Sequence, residues 1–86
     1  MNLLFSPQAW EDYLYWQHTD KKIVRKINEL IKDIMRSHHE GIGKPEPLKH
    51  AFAGFWSRRI NSEHRMVYRA DDTTIEIAQL RYHYGE

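Results

Sequence analysis

Glu46 lies between two prolines in the segment Lys44-Pro45-Glu46-Pro47-Leu48-Lys49. Each proline fixes its own φ and removes a backbone N–H donor, so the chain is stiff on both sides of the carboxylate. A carboxylate held in this way can be a positioned proton acceptor or a structural cap. Since most such residues in loops are simply exposed, the segment alone leaves these interpretations open.

Three arginines recur on one face of two predicted strands, at Arg59, Arg65 and Arg69. A three-residue turn at Asn61–Glu63 sets Arg59 directly opposite Arg65. Like charges in that position destabilise a sheet. We therefore expect an anion between these two side chains.

His83 is a second ionisable candidate, near the end of the last predicted strand. Two-residue alternation places it on one strand face with Ile75, Ile77, Gln79 and Arg81. A carboxylate base, a histidine acid and fixed cations suffice for metal-independent cleavage of RNA through its own 2′-OH. At neutral pH a glutamate of ordinary pKa, about 4.3, is ionised, and a histidine near 6.5 is partly protonated.

The remaining histidines allow a different interpretation, a zinc site built from His38-His39-Glu40 with His50 and His64. The chain has no cysteine, and the helical spacing of metalloprotease ligands is absent. We therefore expect neither a metal nor another cofactor. Among the aromatic residues, we assign Trp10 to the core together with Leu14, and leave Tyr15 and Trp16 open between packing and base stacking.

Length and composition predict one small domain, residues 1–86, with a mass of 10.4 kDa and 41% hydrophobic residues. The longest apolar run, Leu3–Phe5, is far shorter than the roughly 20 residues of a membrane span. No secretory h-region is present, so a cytoplasmic protein with no membrane contact is expected.

The elements that must position these side chains follow the order βααβββ. Ser6-Pro7 begins a first helix that ends near Thr19-Asp20, and apolar residues with a 3.6-residue period predict a second helix over 21–36. Alternating residues then predict three strands. The fold class is therefore α+β, with two helices packed on a small, mostly antiparallel sheet. The predicted strands are Asn2–Phe5, Phe55–Ile60, His64–Ala70 and Thr74–Tyr84, and residues 37–51 are expected to be irregular.

The second helix carries a basic stripe, defined as Lys21, Arg25, Lys32 and Arg36, opposite its apolar arc. Such a stripe can bind phosphates or an acidic partner, or can be merely solvated.

Longer motifs carry a family resemblance. The segments Gly43–Lys49, Gly54–Ile60, Glu63–Tyr68 and Arg81–Tyr84 resemble the YoeB toxins of the RelE/ParE superfamily, and the likeness extends over essentially the whole chain. It implies the RelE-like microbial ribonuclease fold. It also implies the toxin of a type II toxin–antitoxin pair, which cuts mRNA in the ribosomal A site and arrests translation.

The resemblance also implies roles for individual residues. Glu46 matches the general base, His83 the general acid and Arg65 the transition-state cation. Tyr84 matches a terminal tyrosine that positions the substrate, while Lys49 and Arg59 match supporting charges that bind it. The basic stripe is then expected to contact ribosomal RNA.

The implied partners are mRNA, ribosomal RNA, a YefM-like antitoxin, operator DNA reached only through the antitoxin complex, and a second copy of the chain. Two other functions stay open. One is a non-catalytic toxin like the ParE branch, which targets DNA gyrase. The other is a nucleic-acid or acidic-peptide binding module, which needs the basic stripe but not Glu46.

Overall fold

Two consecutive helices form the hairpin that the sequence predicts. In the structure, a computed structural model that describes residues 1–82, α1 spans Pro7–Thr19 and α2 spans Lys21–Arg36. The Ser6 hydroxyl accepts the Ala9 N–H at 3.0 Å and begins α1, as expected for an N-cap serine. Asp20 ends α1 and caps α2, because its carboxylate accepts the Lys22 N–H. One residue therefore turns the chain between the helices.

Five strands form a single mixed sheet in the order β1-β5-β4-β3-β2. β1 pairs parallel with β5, and the other neighbours are antiparallel. The α+β class and the mostly antiparallel sheet are thus confirmed. The strands are β1 Asn2–Phe5, β2 Glu46–Pro47, β3 Trp56–Arg59, β4 Arg65–Ala70 and β5 Thr74–Gln79.

The core lies between the helices and one face of the sheet. On α2, Ile27, Leu30 and Ile34 are fully buried, and Tyr68 and Ile77 cover them from the sheet. This is the apolar arc predicted for residues 21–36.

The first helix packs differently from the prediction. Trp10, which we expected in the core, is 48% exposed, and Leu14 is only half-buried. The buried positions of α1 are Ala9, Asp12 and Trp16, and this rotates the helix away from the predicted face. Trp10 instead packs against Phe5 and Tyr13 beside the sheet edge.

A bulge in β5 changes which side chains face the core. Tyr68 lies opposite Ile77, whereas its neighbour Val67 lies opposite Gln79, so one residue of β5, Ala78, is unpaired. Such a bulge reverses the alternation of side chains beyond it. The prediction that Gln79 shares a face with Ile77 is therefore wrong.

The last strand also ends at Gln79, five residues before the predicted end. The final part of that prediction, including His83 and Tyr84, lies outside the described residues.

No helix within residues 1–82 has the length and apolar character needed to cross a bilayer.

Candidate active site

Glu46 lies on a two-residue edge strand, in a segment that the sequence predicted to be irregular. Its partner on β3 is Ser57, and Pro47 pairs with Trp56. Proline is tolerated there because an edge strand leaves one row of backbone groups unpaired. Two non-glycine residues with left-handed backbone, Lys44 at φ 51° and His50 at φ 58°, lie on either side of this segment.

Arg65 is the centre of the site, since its side chain touches both β2 and β3. It is 7% exposed. Its Nε and Nη2 donate to the Ser57 hydroxyl at 3.1 and 2.8 Å, and Nη2 also donates to Glu46 Oε1 at 2.7 Å. Arg65 Nη1 has no hydrogen-bond partner within the described chain. The guanidinium is therefore fixed on one side and retains a donor for a further oxygen.

Arg59 lies directly opposite Arg65, as the three-residue turn predicts. The anion expected between them stays a prediction. Glu46 supplies the counter-charge for Arg65, while the Arg59 side chain is exposed and makes no ion pair with any residue in 1–82. The register thus places one buried and one exposed cation on the sheet face that carries the Glu46 carboxylate.

Lys49, the other predicted substrate-binding residue, is exposed two residues beyond β2, where it begins a short 3-10 turn over His50–Phe52. Lys49 makes no hydrogen bond or ion pair with Glu46 or Arg65. The predictions for His83 and Tyr84 concern residues outside the described part of the chain, so the structure does not test them.

A buried arginine that sequence reasoning missed holds the loop leading into Glu46. Arg58 is fully buried on the helix-facing side of β3 and binds the Asp33 carboxylate through Nη1 at 2.6 Å. The other acceptors are the Tyr68 hydroxyl and main-chain carbonyls of Ser37, His38, Glu40 and Ile42. Arginine is suited to this role because its planar fork presents five donors at once.

The Asp33 carboxylate, which lies beneath this loop, has a lowered pKa. The Arg36 side chain, followed by Arg58 and the Ile42 N–H, lowers the pKa of Asp33 to about 2. Gly43 continues the same loop with a φ of +82°, and its carbonyl accepts the Arg59 N–H. These contacts connect α2 and the loop to β3, the strand that carries Arg58 and Arg59.

The basic stripe is exposed along α2, as predicted. It lies away from Glu46 and Arg65, because α2 packs against the opposite face of the sheet. Arg36 is bound to Asp33 at 2.8 Å, whereas the three other cations of the stripe make no ion pair with a described residue.

The histidines of the zinc interpretation are dispersed. His39 stacks on Trp56 with ring centroids 4.2 Å apart, and burial lowers its pKa. His64 is buried and accepts a hydrogen bond through Nδ1 from the Tyr82 N–H. Among the described residues no three metal-binding side chains come together.

The site is thus a buried cation beside an edge strand that carries a carboxylate, on a mixed sheet backed by a helical hairpin. A model of the YoeB-like toxin of the bacterial type II toxin–antitoxin system matches residues 5–84. The chain belongs to this family.

Its relatives match nearly end to end. The chain is 63% identical to Toxin YoeB of Escherichia coli K12 over 84 residues, covering 98% of this chain and all of the relative. The YoeB dimer of Staphylococcus aureus is 60% identical and superposes with a TM-score of 0.92 over 98% of both chains. The heterotetrameric YoeB–YefM complex from the same organism gives 60% identity and a TM-score of 0.90, again over 98% of both chains.

Proposed function

We propose that this toxin is a ribosome-dependent endoribonuclease that cuts mRNA in the A site. The observation that carries the proposal is the contact between Glu46 and Arg65, 2.7 Å between oxygen and Nη2. A toxin that acts only by binding has no need of an exposed carboxylate held against a buried, pre-oriented guanidinium. Acid–base cleavage of RNA needs both groups.

The proposed reaction is an in-line displacement at phosphorus. The Glu46 carboxylate accepts the 2′-OH proton, and the 2′-oxygen forms a bond to phosphorus as the bond to the 5′-oxygen breaks. His83 donates a proton to that leaving oxygen. The products are a 2′,3′-cyclic phosphate and a 5′-hydroxyl, and the chain itself provides both proton-transfer groups.

Arg65 stabilises the charge that develops on the phosphorane oxygens. Ser57 already fixes Nε and Nη2, so little reorganisation is needed when the charge appears. In the ground state Arg65 also holds the Glu46 carboxylate through its contact with Oε1. Arg59 and Lys49 bind neighbouring phosphates of the mRNA, and Tyr84 helps to position the substrate.

The basic stripe binds ribosomal RNA. Its exposure and its place on the opposite side of the sheet support a role in docking that is separate from the chemistry. Cations on a surface of this kind bind a phosphate backbone with a strong dependence on salt.

A YefM-like antitoxin inhibits the toxin, and the pair binds operator DNA only as a complex. The Staphylococcus aureus relative is found with YefM in a heterotetramer and also as a dimer. An acidic antitoxin segment would cover the exposed Arg59 and the cations around it, and a second copy of the toxin can pair with the first.

The experiment is to incubate programmed ribosomes with the toxin and map the mRNA ends. We expect one cut in the A-site codon, and a loss on the order of 10²–10⁴-fold in rate for Glu46→Gln. Glu29→Gln, which removes an exposed carboxylate on α2, is the matched control and should cleave normally. Full cleavage by Glu46→Gln contradicts the proposal, and ribosome binding without any cleavage by the unmodified toxin favours the binding-module alternative.

A further inference from the structure

An open cavity of about 810 Å³ lies at the C-terminal end of α2. His39 and Trp56 line it together, with 19° between the planes of their stacked rings. Trp56 is half-buried on the helix side of β3, where it packs against the core opposite Tyr68, whereas His39 is exposed. The pair therefore offers a flat aromatic surface to the cavity, and the proposed reaction makes no use of it.

The loop that carries His39 is fixed from the core. The buried guanidinium of Arg58 donates to the Glu40 carbonyl at 3.0 Å. The Tyr68 hydroxyl donates to the His38 carbonyl at 2.7 Å. The backbone on both sides of His39 is thus held before any ligand arrives. A preformed surface loses little conformational freedom on binding, and this favours affinity.

The groups around the cavity favour an uncharged planar ligand over an anion. Burial lowers the pKa of His39, so its imidazole is neutral at pH 7. The carboxylates of Glu40 and Asp72 line the cavity, where they oppose a phosphate but can accept hydrogen bonds from amino groups. Met35, which is 43% exposed, adds an apolar wall. A nucleobase has the flat face and the amino hydrogens that match these walls.

Arg36 connects the cavity to the basic stripe, because it belongs to the stripe and also lines the cavity. Its side chain is 66% exposed. An RNA strand whose phosphates lie along the stripe would therefore bring a base to the His39–Trp56 pair. The mRNA at Glu46 lies on the opposite face of the sheet, so the base that reaches this cavity belongs to the ribosome.

We propose that the cavity binds an unpaired nucleobase of ribosomal RNA, stacked on the His39–Trp56 pair. The proposal rests on the proposed function, in which the basic stripe docks the toxin on that RNA. Every base has an aromatic face, so stacking adds affinity without a further phosphate contact. The stripe and the cavity thus bind two different parts of the RNA, its backbone and one of its bases.

Two substitutions of His39 test the stacking. His39→Ala removes the outer ring of the pair, whereas His39→Phe keeps a flat, uncharged ring. We expect His39→Ala to weaken binding to ribosomes that carry no mRNA by roughly 10-fold, the effect of losing one base–aromatic stack. His39→Phe should bind as the unmodified toxin does. His18→Ala, which removes an exposed histidine near the end of α1, is the matched control and should also bind normally.

The salt dependence of binding separates a base contact from a phosphate contact. The affinity of His39→Ala should fall with salt at the same slope as that of the unmodified toxin, because no phosphate contact is lost. A reduced slope for His39→Ala contradicts the proposal, and so does an unchanged affinity. His39→Phe binding as weakly as His39→Ala would also overturn it, because a flat ring at this position would then be irrelevant.

Chemical probing of the ribosomal RNA bases observes the contact directly. We expect the bound toxin to protect an unpaired base that becomes reactive again with His39→Ala and stays protected with His39→Phe. Identical protection by all three proteins would show that the cavity holds no base. If His39→Ala weakens binding to the antitoxin and not to the ribosome, the cavity is a protein-binding surface and the proposal is wrong.

The outcome for this cavity is separable from that for the proposed function. Ribosomes without mRNA report docking alone, and a loss of affinity seen only on programmed ribosomes would assign the base to mRNA and contradict the proposal. At saturating concentration His39→Ala should cut mRNA at the unmodified rate. If the unmodified toxin binds ribosomes through this contact but cuts no mRNA, the proposed function fails while the base contact stands.

Discussion

Removal of the Arg58 guanidinium should destabilise the fold far more than removal of Arg36, although both side chains bind Asp33. Arg58 is fully buried, whereas the Arg36 side chain is 66% exposed. Breaking a buried ion pair by removing one partner costs roughly 3–5 kcal/mol, while an exposed pair contributes up to about 1 kcal/mol. Asp33 keeps Arg36 and the Ile42 N–H in the Arg58→Met variant, so its charge is not left alone. We therefore expect a loss of about 3 kcal/mol, at the lower end of that range.

The assay is equilibrium unfolding in urea for the unmodified protein, Arg58→Met and Arg36→Met. Methionine keeps the apolar part of the side chain, so the comparison isolates the guanidinium. For a small domain with a total stability of about 5–15 kcal/mol, the Arg58 loss moves the midpoint clearly. Equal losses for the two variants, or a loss below about 1 kcal/mol for Arg58→Met, would refute the view that the buried guanidinium holds the loop to Glu46.

Three further predictions concern the loop and the stripe. Because the pKa of Asp33 is lowered in the folded state, its ionised carboxylate stabilises the fold above about pH 4, and this stabilisation is lost as the pH falls towards 2. The free energy of unfolding, measured from pH 5 to 2, should fall by about 2 kcal/mol, and Asp33→Asn should lack this fall. Gly43→Ala should lower the thermal unfolding midpoint more than Gly54→Ala does. Both glycines have a positive φ, but an added Cβ would lie 2.9 Å from a Leu30 methyl at Gly43 and would meet nothing within 4 Å at Gly54. Equal losses would contradict a steric cause. Replacing the three unpaired cations of the basic stripe by glutamine should weaken ribosome binding and reduce its salt slope by about one per lost phosphate contact, and an unchanged slope would show that the stripe is only solvated.

Short-range rules predicted the elements that depend on local sequence. The Ser6 and Asp20 caps, the apolar arc of α2 and the Arg59–Arg65 pairing each follow from spacing within a few residues. These features were confirmed because caps, helical periodicity and tight turns are determined by neighbours along the chain.

The missed features depend on contacts distant in sequence. Glu46 lies on a strand because its backbone pairs with that of Ser57 on β3. In the sequence nothing distinguishes Arg58 from the exposed cations, because its burial depends on the loop that folds over it. The bulge at Ala78 changes which side chains of β5 face the core, and no glycine or proline marks its position in the sequence. A sequence pattern predicts that side chains alternate along a strand, but it does not predict where a bulge interrupts the pairing of that strand.

The contact between Glu46 and Arg65 shows the same limit within the site. The sequence indicated both residues through their spacing and the family resemblance, but it did not predict a contact between them. The structure places the carboxylate of Glu46 against Arg65. A pairing between residues 19 positions apart was not accessible to reasoning about adjacent strands alone.

The identity of the nucleophile tests the central claim most directly. Ribosomes are programmed with an mRNA that carries a 2′-deoxy nucleotide at the scissile position, and the fragment ends are compared with those from the all-ribose mRNA. The account predicts a 2′,3′-cyclic phosphate and a 5′-hydroxyl from the ribose substrate and no cleavage of the deoxy substrate. Efficient cleavage of the deoxy substrate, leaving a linear phosphate, would contradict the account and indicate a mechanism that activates water.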